Sequence, residues 1–390
     1  MKKSNDSIYD YIIVGAGLFG AVFTQQAVKA GKKCLIIDKR RQIGGNLYTE
    51  NIDSINVHKY GAHIFHTSNR EIWNYINQFA DFNNFINSPL ANYNGKLYNL
   101  PFNMNTFYQL WGTQTPLEAK AKIAEQCKKY DYITHPANLE EHALKMCGDD
   151  IYNTFIKGYT EKQWGRRATE LPSFIIKRIP LRFVYNNNYF NDTFQGIPVG
   201  GYTPIIESMI KGAEVQINTD YFENKTYFDS LAPKMIFTGR IDEFFDFKFG
   251  KLEYRSLHFE HERLEINDFQ GNAVINYCDQ EIPFTRISEH KHFSPWEQHE
   301  KTVYYKEFSR LCAENDIPYY PIRLINDKDL LVKYVELAQQ ENDVTFVGRL
   351  GTYRYLDMDV TIAEALVTAK NLLKSFELNQ KAQSFYYDPI

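Results

Sequence analysis

Gly15, Gly17 and Gly20 follow the apolar run Tyr9–Val14 and precede a helical stretch, Ala21–Ala30, that Gly31 would cap. Strand, tight turn and helix in that order make a phosphate cradle. The first glycine permits the turn, the second lets a pyrophosphate approach the backbone, and the third lets helix pack on strand. Asp38 closes the next apolar run, Cys34–Ile37. A carboxylate there can accept hydrogen bonds from ribose hydroxyls, which argues against a 2′-phosphate. Arg41-Gln42-Ile43-Gly44-Gly45-Asn46 comes next, and the far end of the chain supplies Val344–Val347, Gly348-Arg349-Leu350-Gly351 and then Asp357 before a helix. A sheet that takes one strand from each end of the chain, with a second helix N-terminus near the ligand, favours FAD over NAD.

Other reactive types are sparse. His58, His63 and His66 are irregularly spaced, and no Asp, Glu or Cys among them completes a ligand set, so no metal centre is expected. His290-Lys291-His292 reads as a solvated strand end. No paired carboxylates and no Ser-His-Asp set stand out as obligatory catalysts.

The elements around these residues divide into three blocks. Residues 45–100 are strands and long loops, including Ile55–Tyr60 and Lys96–Leu100. From Thr106 to about Arg182 the periodicity is helical: one helix opens at Pro116, another runs from Asn138 to Met146 with Gly148 beyond it, and a third covers Ile151–Gly158. Residues 183–310 turn to strand composition at Val215–Ile217, Met235–Phe237, Tyr254–Leu257 and Ala273–Tyr277, and Thr361–Phe376 forms a last helix. The expected fold is α/β: a discontinuous Rossmann-like FAD domain (1–85, 195–220, 318–390), an inserted helical subdomain (100–182) and an antiparallel β-sheet subdomain (86–99, 183–194, 221–317).

Composition limits the partners. The chain has 390 residues, a net charge of −4 and 44% hydrophobic residues, with no long basic run. That speaks against nucleic acid or an anionic membrane, so any anion must be held by a few placed cations. No apolar stretch approaches the ~20 residues of a membrane span, and none suits a signal sequence. The five cysteines form no CxxC pair. They read as free thiols of a reducing compartment, and the expectation is a cytoplasmic protein.

Several longer motifs carry a more specific message. Tyr60-Gly61-Ala62-His63-Ile64-Phe65-His66-Thr67, Leu100-Pro101-Phe102-Asn103, Gly158-Tyr159-Thr160-Glu161-Lys162-Gln163-Trp164-Gly165, Lys177-Arg178-Ile179-Pro180, Pro283-Phe284-Thr285-Arg286-Ile287 and Gly348–Tyr355 occur in this order. Through them the chain, over roughly residues 8–370, resembles the bacterial UDP-galactopyranose mutases. The resemblance implies a redox-neutral interconversion of UDP-galactopyranose and UDP-galactofuranose, supplying galactofuranose for cell-surface polysaccharide. N5 of reduced FAD would bond transiently to C1 of the sugar while UDP leaves and returns.

The resemblance also implies roles for single residues. Arg178 and Arg286 would clamp the diphosphate, which suits two guanidinium forks, and His63 would sit beside the flavin. Tyr189, Tyr320 and Tyr355 would donate to the phosphates; Phe155, Tyr159, Thr160, Trp164 and Phe190 would frame the uridine; Asn87 and Asn276 would touch substrate. The cofactor contacts would be Gly15, Gly17, Leu18, Gly20, Asp38, Lys39, Gly45, Asn46, His63, Ile64, Arg349, Leu356, Asp357 and Met358. Gly165–Lys177 would be a lid that carries Arg178 inward. NAD(P)H or another reductant would activate the enzyme, and the assembly would be a homodimer. A flavin oxidoreductase of the amine-oxidase-like group is the alternative, because it shares the same cofactor lobe.

Overall fold

A computed structural model describes residues 7–176, 180–323 and 325–390. Tyr11–Val14 is the central strand of a five-stranded parallel sheet, in the order Val344–Phe346, Lys234–Phe237, Tyr11–Val14, Cys34–Ile37, Glu214–Gln216. Strands buried on both faces must be apolar throughout, and the alternation then decides which core each residue joins. Tyr11, Ile13, Ile36 and Ile236 point to a face covered by helices Leu18–Lys29 and Met358–Glu377, which pack together. Ile12, Leu35, Ile37 and Phe237 point to the other face, under Leu331, Tyr334, Val335 and Ala338 of helix Ile325–Gln340.

The second sheet has seven strands, in the order Tyr320–Pro321, Tyr254–Leu264, Thr302–Leu311, Arg286–Glu289, Val274–Tyr277, Leu90–Tyr93, Lys96–Asn99. Its pairings are antiparallel except that of Val274–Tyr277 with Leu90–Tyr93. Over one end sit helices Met104–Trp111, Pro116–Cys127, Leu139–Ile151 and Lys157–Trp164. Their starts are written locally: Asn103, Thr115 and Asn138 each accept a first-turn backbone N–H, with Pro116 opening its helix.

Three local outcomes differ from the sequence expectations. Lys234–Phe237, placed by composition among residues 221–317 of the antiparallel subdomain, instead pairs in parallel with Tyr11–Val14. A four-residue apolar run looks the same in either sheet, and only its long-range partner tells them apart. Tyr320, expected in the cofactor domain, pairs with Arg255 in the seven-stranded sheet. The helix expected to stop before Gly148 resumes and runs to Ile151: Gly148 turns at φ 78, and Gln126 Oε1 accepts the Asp150 N–H at 2.9 Å to restart it.

Phe237 is fully buried among Tyr221, Phe222, Phe244 and Phe346, with ring centroids 4.9–6.1 Å away. Phe237→Ala should cost about 3–5 kcal/mol of stability. Thermal unfolding would show this as a clear drop in melting temperature, and an unchanged melt would mean the cluster is not a packed core.

Candidate functional site

A cleft opens at the carboxyl ends of the parallel strands, where open α/β sheets place their ligands. Helix Leu18–Lys29 has no side-chain cap at Gly17, so its first N–H groups are open to a ligand. Two neighbouring segments are tied to the glycine turn. Asp38 Oδ2 accepts the Ala16 N–H and its Oδ1 the Arg40 N–H, both at 2.8 Å, while Gly44 donates to the Ala16 carbonyl at 2.9 Å.

The glycines divide into two kinds. Gly15 takes φ +110, and a Cβ there would lie 1.9 Å from Thr238 Oγ1; one on Gly20 would lie 2.2 Å from the Gly15 carbonyl. Those two are required by the fold itself. A Cβ on Gly17 would meet nothing closer than the Gly45 Cα at 4.0 Å, although Gly17 lines the cleft. Space kept clear beside open helix N–H groups is what a bound pyrophosphate needs, so the residues fit a dinucleotide.

Most expected cofactor contacts line this cleft: Gly15, Gly17, Leu18, Gly20, Asp38, Lys39, Gly45, Asn46, His63, Arg349, Leu356 and Met358. Two do not. Ile64 is buried with Phe85, Ile197 and Phe293, and Asp357 is the N-cap residue of the last helix, its carbonyl accepting from Thr361. Sequence reasoning missed Arg40, Thr219–Phe222, Thr238, Gly239 and Tyr319, which also line the cleft. Thr238-Gly239 directly follows the strand assigned to the other sheet, so correct pairing of Met235–Phe237 would have found it.

The second half of the site lies where the seven-stranded sheet meets the helical subdomain. Arg286 begins its strand with Glu307 and Asn276 as cross-strand neighbours. Its Nη2 donates to the Tyr159 hydroxyl at 2.6 Å, and its Nε lies 3.3 Å from Glu307 Oε1. Burial works against the Arg286 charge, yet Glu307 and the Tyr159 and Tyr320 oxygens more than offset it and raise its pKa. Burial pushes the Tyr159 phenol up to about 12, so it remains a donor at neutral pH. Asn276 Oδ1, beside this arginine, is buried with no hydrogen-bond partner among the described residues.

Tyr320 and Tyr355 stack 5.9 Å apart, with the Arg349 guanidinium 4.7 Å from the Tyr355 ring centre. Arg349 thus belongs both to the cleft and to the tyrosine wall. Phe190 stacks on His66 at 3.7 Å and meets Tyr189 edge-on, while His66 Nδ1 binds Asp192 at 2.8 Å. Asn87 is buried and accepts the Tyr189 N–H at 2.8 Å. Phe155, Thr160 and Trp164 lie in the helical subdomain, Phe155 packed against Tyr98 and Phe102. Arg178 lies outside the described residues, and so does the end of the expected lid.

The histidines form a chain rather than a ligand set. His63 Nδ1 donates to the Gly61 carbonyl at 2.7 Å. Its backbone N–H donates to His58 Nδ1 at 3.1 Å, and the His58 N–H donates to His290 Nδ1 at 3.3 Å. His290, expected to be solvated, is 2% exposed, because its turn folds inward against His58 and Tyr305. Burial lowers all three: His63 to about 4, with the Arg349 charge adding to it, His290 to about 3, and His58 well below 6.5. Elsewhere Asp268, Glu289 and His292 converge, but Glu289 already accepts from Phe269 N, Gln270 N and Thr302 Oγ1.

A parallel sheet with a glycine-turn cleft, beside a second sheet that presents a half-buried arginine and tyrosines, is the arrangement of a dinucleotide-binding protein with a second set of anion-binding groups. A family model of UDP-galactopyranose mutase matches residues 154–355, and one of NAD(P)-binding Rossmann-like domains matches residues 13–79. The chain is 46% identical to a probable UDP-galactopyranose mutase of Klebsiella pneumoniae, over 97% of this chain and 98% of that one. It is 43% identical to a dTDP-fucopyranose mutase of Escherichia coli, over 93% and 98%. A crystal structure of reduced UDP-galactopyranose mutase superposes with a TM-score of 0.71 at 14% identity, covering 97% of this chain and 99% of that one. The chain belongs to the UDP-galactopyranose mutase family. Among the described residues no helix is long and apolar enough to cross a membrane.

Two outcomes test the site. Gly17→Val should fold, since its side chain has room, yet purify colourless, whereas Gly20→Val should lower the melting temperature; a yellow Gly17→Val protein would misplace the pyrophosphate. His58, His63 and His290 titrate below their unfolded value of 6.5. The unfolded chain therefore binds more protons as pH falls below about 6.5, and stability should decline from there toward pH 4. Melting temperatures across that window should fall less steeply in His290→Phe than in the wild type.

Proposed function

We propose that this protein interconverts UDP-galactopyranose and UDP-galactofuranose with no net oxidation, and that it does so with FAD in the reduced state. One observation carries the reading. A cleft fitted to a dinucleotide shares Arg349 with the tyrosine wall, and Tyr320 of that wall neighbours a half-buried Arg286 whose charge is kept by Glu307 and whose Nη2 donates to the Tyr159 hydroxyl. A glycosyl diphosphate needs its departing UDP held and its developing charge stabilised, and donors fixed beforehand in a water-poor site do this best.

Gly17, the open helix N-terminus and Asp38 would hold the cofactor's pyrophosphate and ribose. Bound there in reduced form, the flavin supplies an electron-rich nitrogen as the nucleophile for an anomeric carbon. The side chains do the rest. Arg286 and Tyr159 donate to the diphosphate, and the motif around Arg178 supports a second guanidinium on the same group. Tyr320 and Tyr355 add hydroxyls, and Asn276 Oδ1 is an acceptor for a sugar or ribose hydroxyl. His63 stays neutral at physiological pH, so it offers the flavin a dipole rather than a charge.

The family resemblance further supports a homodimer activated by NAD(P)H or another reductant. The five free cysteines suit the reducing cytoplasm.

The fucopyranose mutase relative supports a second substrate, dTDP-fucose, which lacks the 2′-hydroxyl of the nucleotide ribose and the 6-hydroxyl of the sugar and carries a methyl on the base. Dithionite-reduced protein given each furanose nucleotide, with chromatography of the products, separates the two. UDP-galactopyranose should form over many turnovers and only with reduced flavin. Preferential turnover of dTDP-fucofuranose would move the assignment. Consumption of oxygen in step with product would instead support the oxidoreductase. Arg286→Ala should lower kcat/KM by about a hundredfold or more while the protein stays yellow.

A further inference from the structure

Helix Lys157–Trp164 carries Tyr159, and the seven-stranded sheet carries Arg286, so their 2.6 Å bond depends on how helix and sheet are fastened. Two residues on one helical face do the fastening. Gly158 lies so close to the sheet that a Cβ would stand 2.2 Å from the Cys278 carbonyl oxygen. One turn later, at i+4, the Lys162 ammonium donates to the carbonyls of Tyr277 at 2.7 Å, Ile282 at 2.9 Å and Phe284 at 3.1 Å. An ammonium has three donors, and all three are spent on the connection between strands Val274–Tyr277 and Arg286–Glu289.

The last of these carbonyls is two residues before Arg286, and Lys162 is three residues after Tyr159. Contacts therefore close a ring: Tyr159 to Lys162 along the helix, Lys162 to Phe284, Phe284 to Arg286 along the chain, and Arg286 back to Tyr159. The helix's C-terminal end is held separately, with Arg255 Nε and Ser309 Oγ both donating to the Gln163 carbonyl. Loss of Lys162 would loosen the loop before Arg286 without freeing the whole helix.

We propose that Lys162 is a positioning residue for the diphosphate site: its ammonium sets the loop that aims Arg286 at Tyr159, and it touches neither substrate nor cofactor. This rests on the assignment of Arg286 to the diphosphate. Three carbonyls left without their cation cost a part-buried site several hydrogen bonds, so Lys162→Met should weaken UDP binding about tenfold.

The test uses the FAD-loaded protein, with UDP as the titrant followed by calorimetry. Lys162→Met should keep wild-type flavin content, bind UDP about tenfold more weakly, and raise KM more than it lowers kcat. Combined with Arg286→Lys it should add little further loss, because both changes spoil one contact. Lys162→Gln, which keeps two donors, should fall between wild type and Lys162→Met, and it carries the test if the methionine variant does not fold. Wild-type UDP affinity in either variant overturns the proposal, as does a double variant whose losses simply multiply. Loss of flavin along with UDP in Lys162→Gln also overturns it, since the lysine would then be a general support. A wild-type protein that fails to bind UDP would refute the mutase reading itself, a result separable from all of these.

Discussion

The proposed diphosphate site turns on keeping one half-buried guanidinium charged while leaving it donors to spend. Arg286 has Glu307 on one neighbouring strand and Asn276 on the other, so a single row across three strands sets anion, cation and polar acceptor side by side. Removing the arginine would leave the Glu307 carboxylate, 5% exposed, without its cation, and an uncompensated buried charge is strongly destabilising. Glu307 is itself steadied by the Thr285 hydroxyl at 3.2 Å. The register of the sheet sets this row: a slip of one residue in any of the three strands would turn that strand's member to the opposite face.

The parallel sheet solves a different problem. Its cleft is lined by backbone turns together with charged side chains such as Asp38, Lys39, Arg40 and Arg349, and the glycine turn, Asp38 and the Gly44-Gly45 segment brace one another through the Ala16 peptide. The two sheets meet near Arg349, whose Nε donates to the Leu356 carbonyl at 2.8 Å while its guanidinium lies over Tyr355 and near Tyr320. One cation therefore borders both the cofactor cleft and the tyrosine wall. Its charge also helps keep the neighbouring His63 neutral.

What could be read in the chain depended on how local the physics was. The glycine turn, Asp38 and the helix caps were legible because their roles are written within a few residues of themselves. Arg286 was not: on its own it resembles any surface arginine, and only the surrounding motif gave it a role. Lys162 and Glu307 were less visible still, since their partners lie 115–122 and 21 or 22 residues away and are set by sheet register. His290 was misjudged for the same reason. Its polar neighbours suggest solvent, but the turn that carries it packs against a strand more than 200 residues earlier. Met235–Phe237 was placed in the wrong sheet because a short apolar run fits any buried strand.

The distribution of protonation states agrees with a reaction that moves no net hydride and needs no strong protein base. Burial holds His63 neutral and Tyr159 protonated, while Glu307 keeps Arg286 charged against burial, so near neutral pH these groups act as fixed dipoles and donors and do not titrate. An enzyme that relied on proton abstraction would want a group poised near the working pH. These three have been moved away from it instead, in the directions that keep each one's hydrogen-bonding role constant.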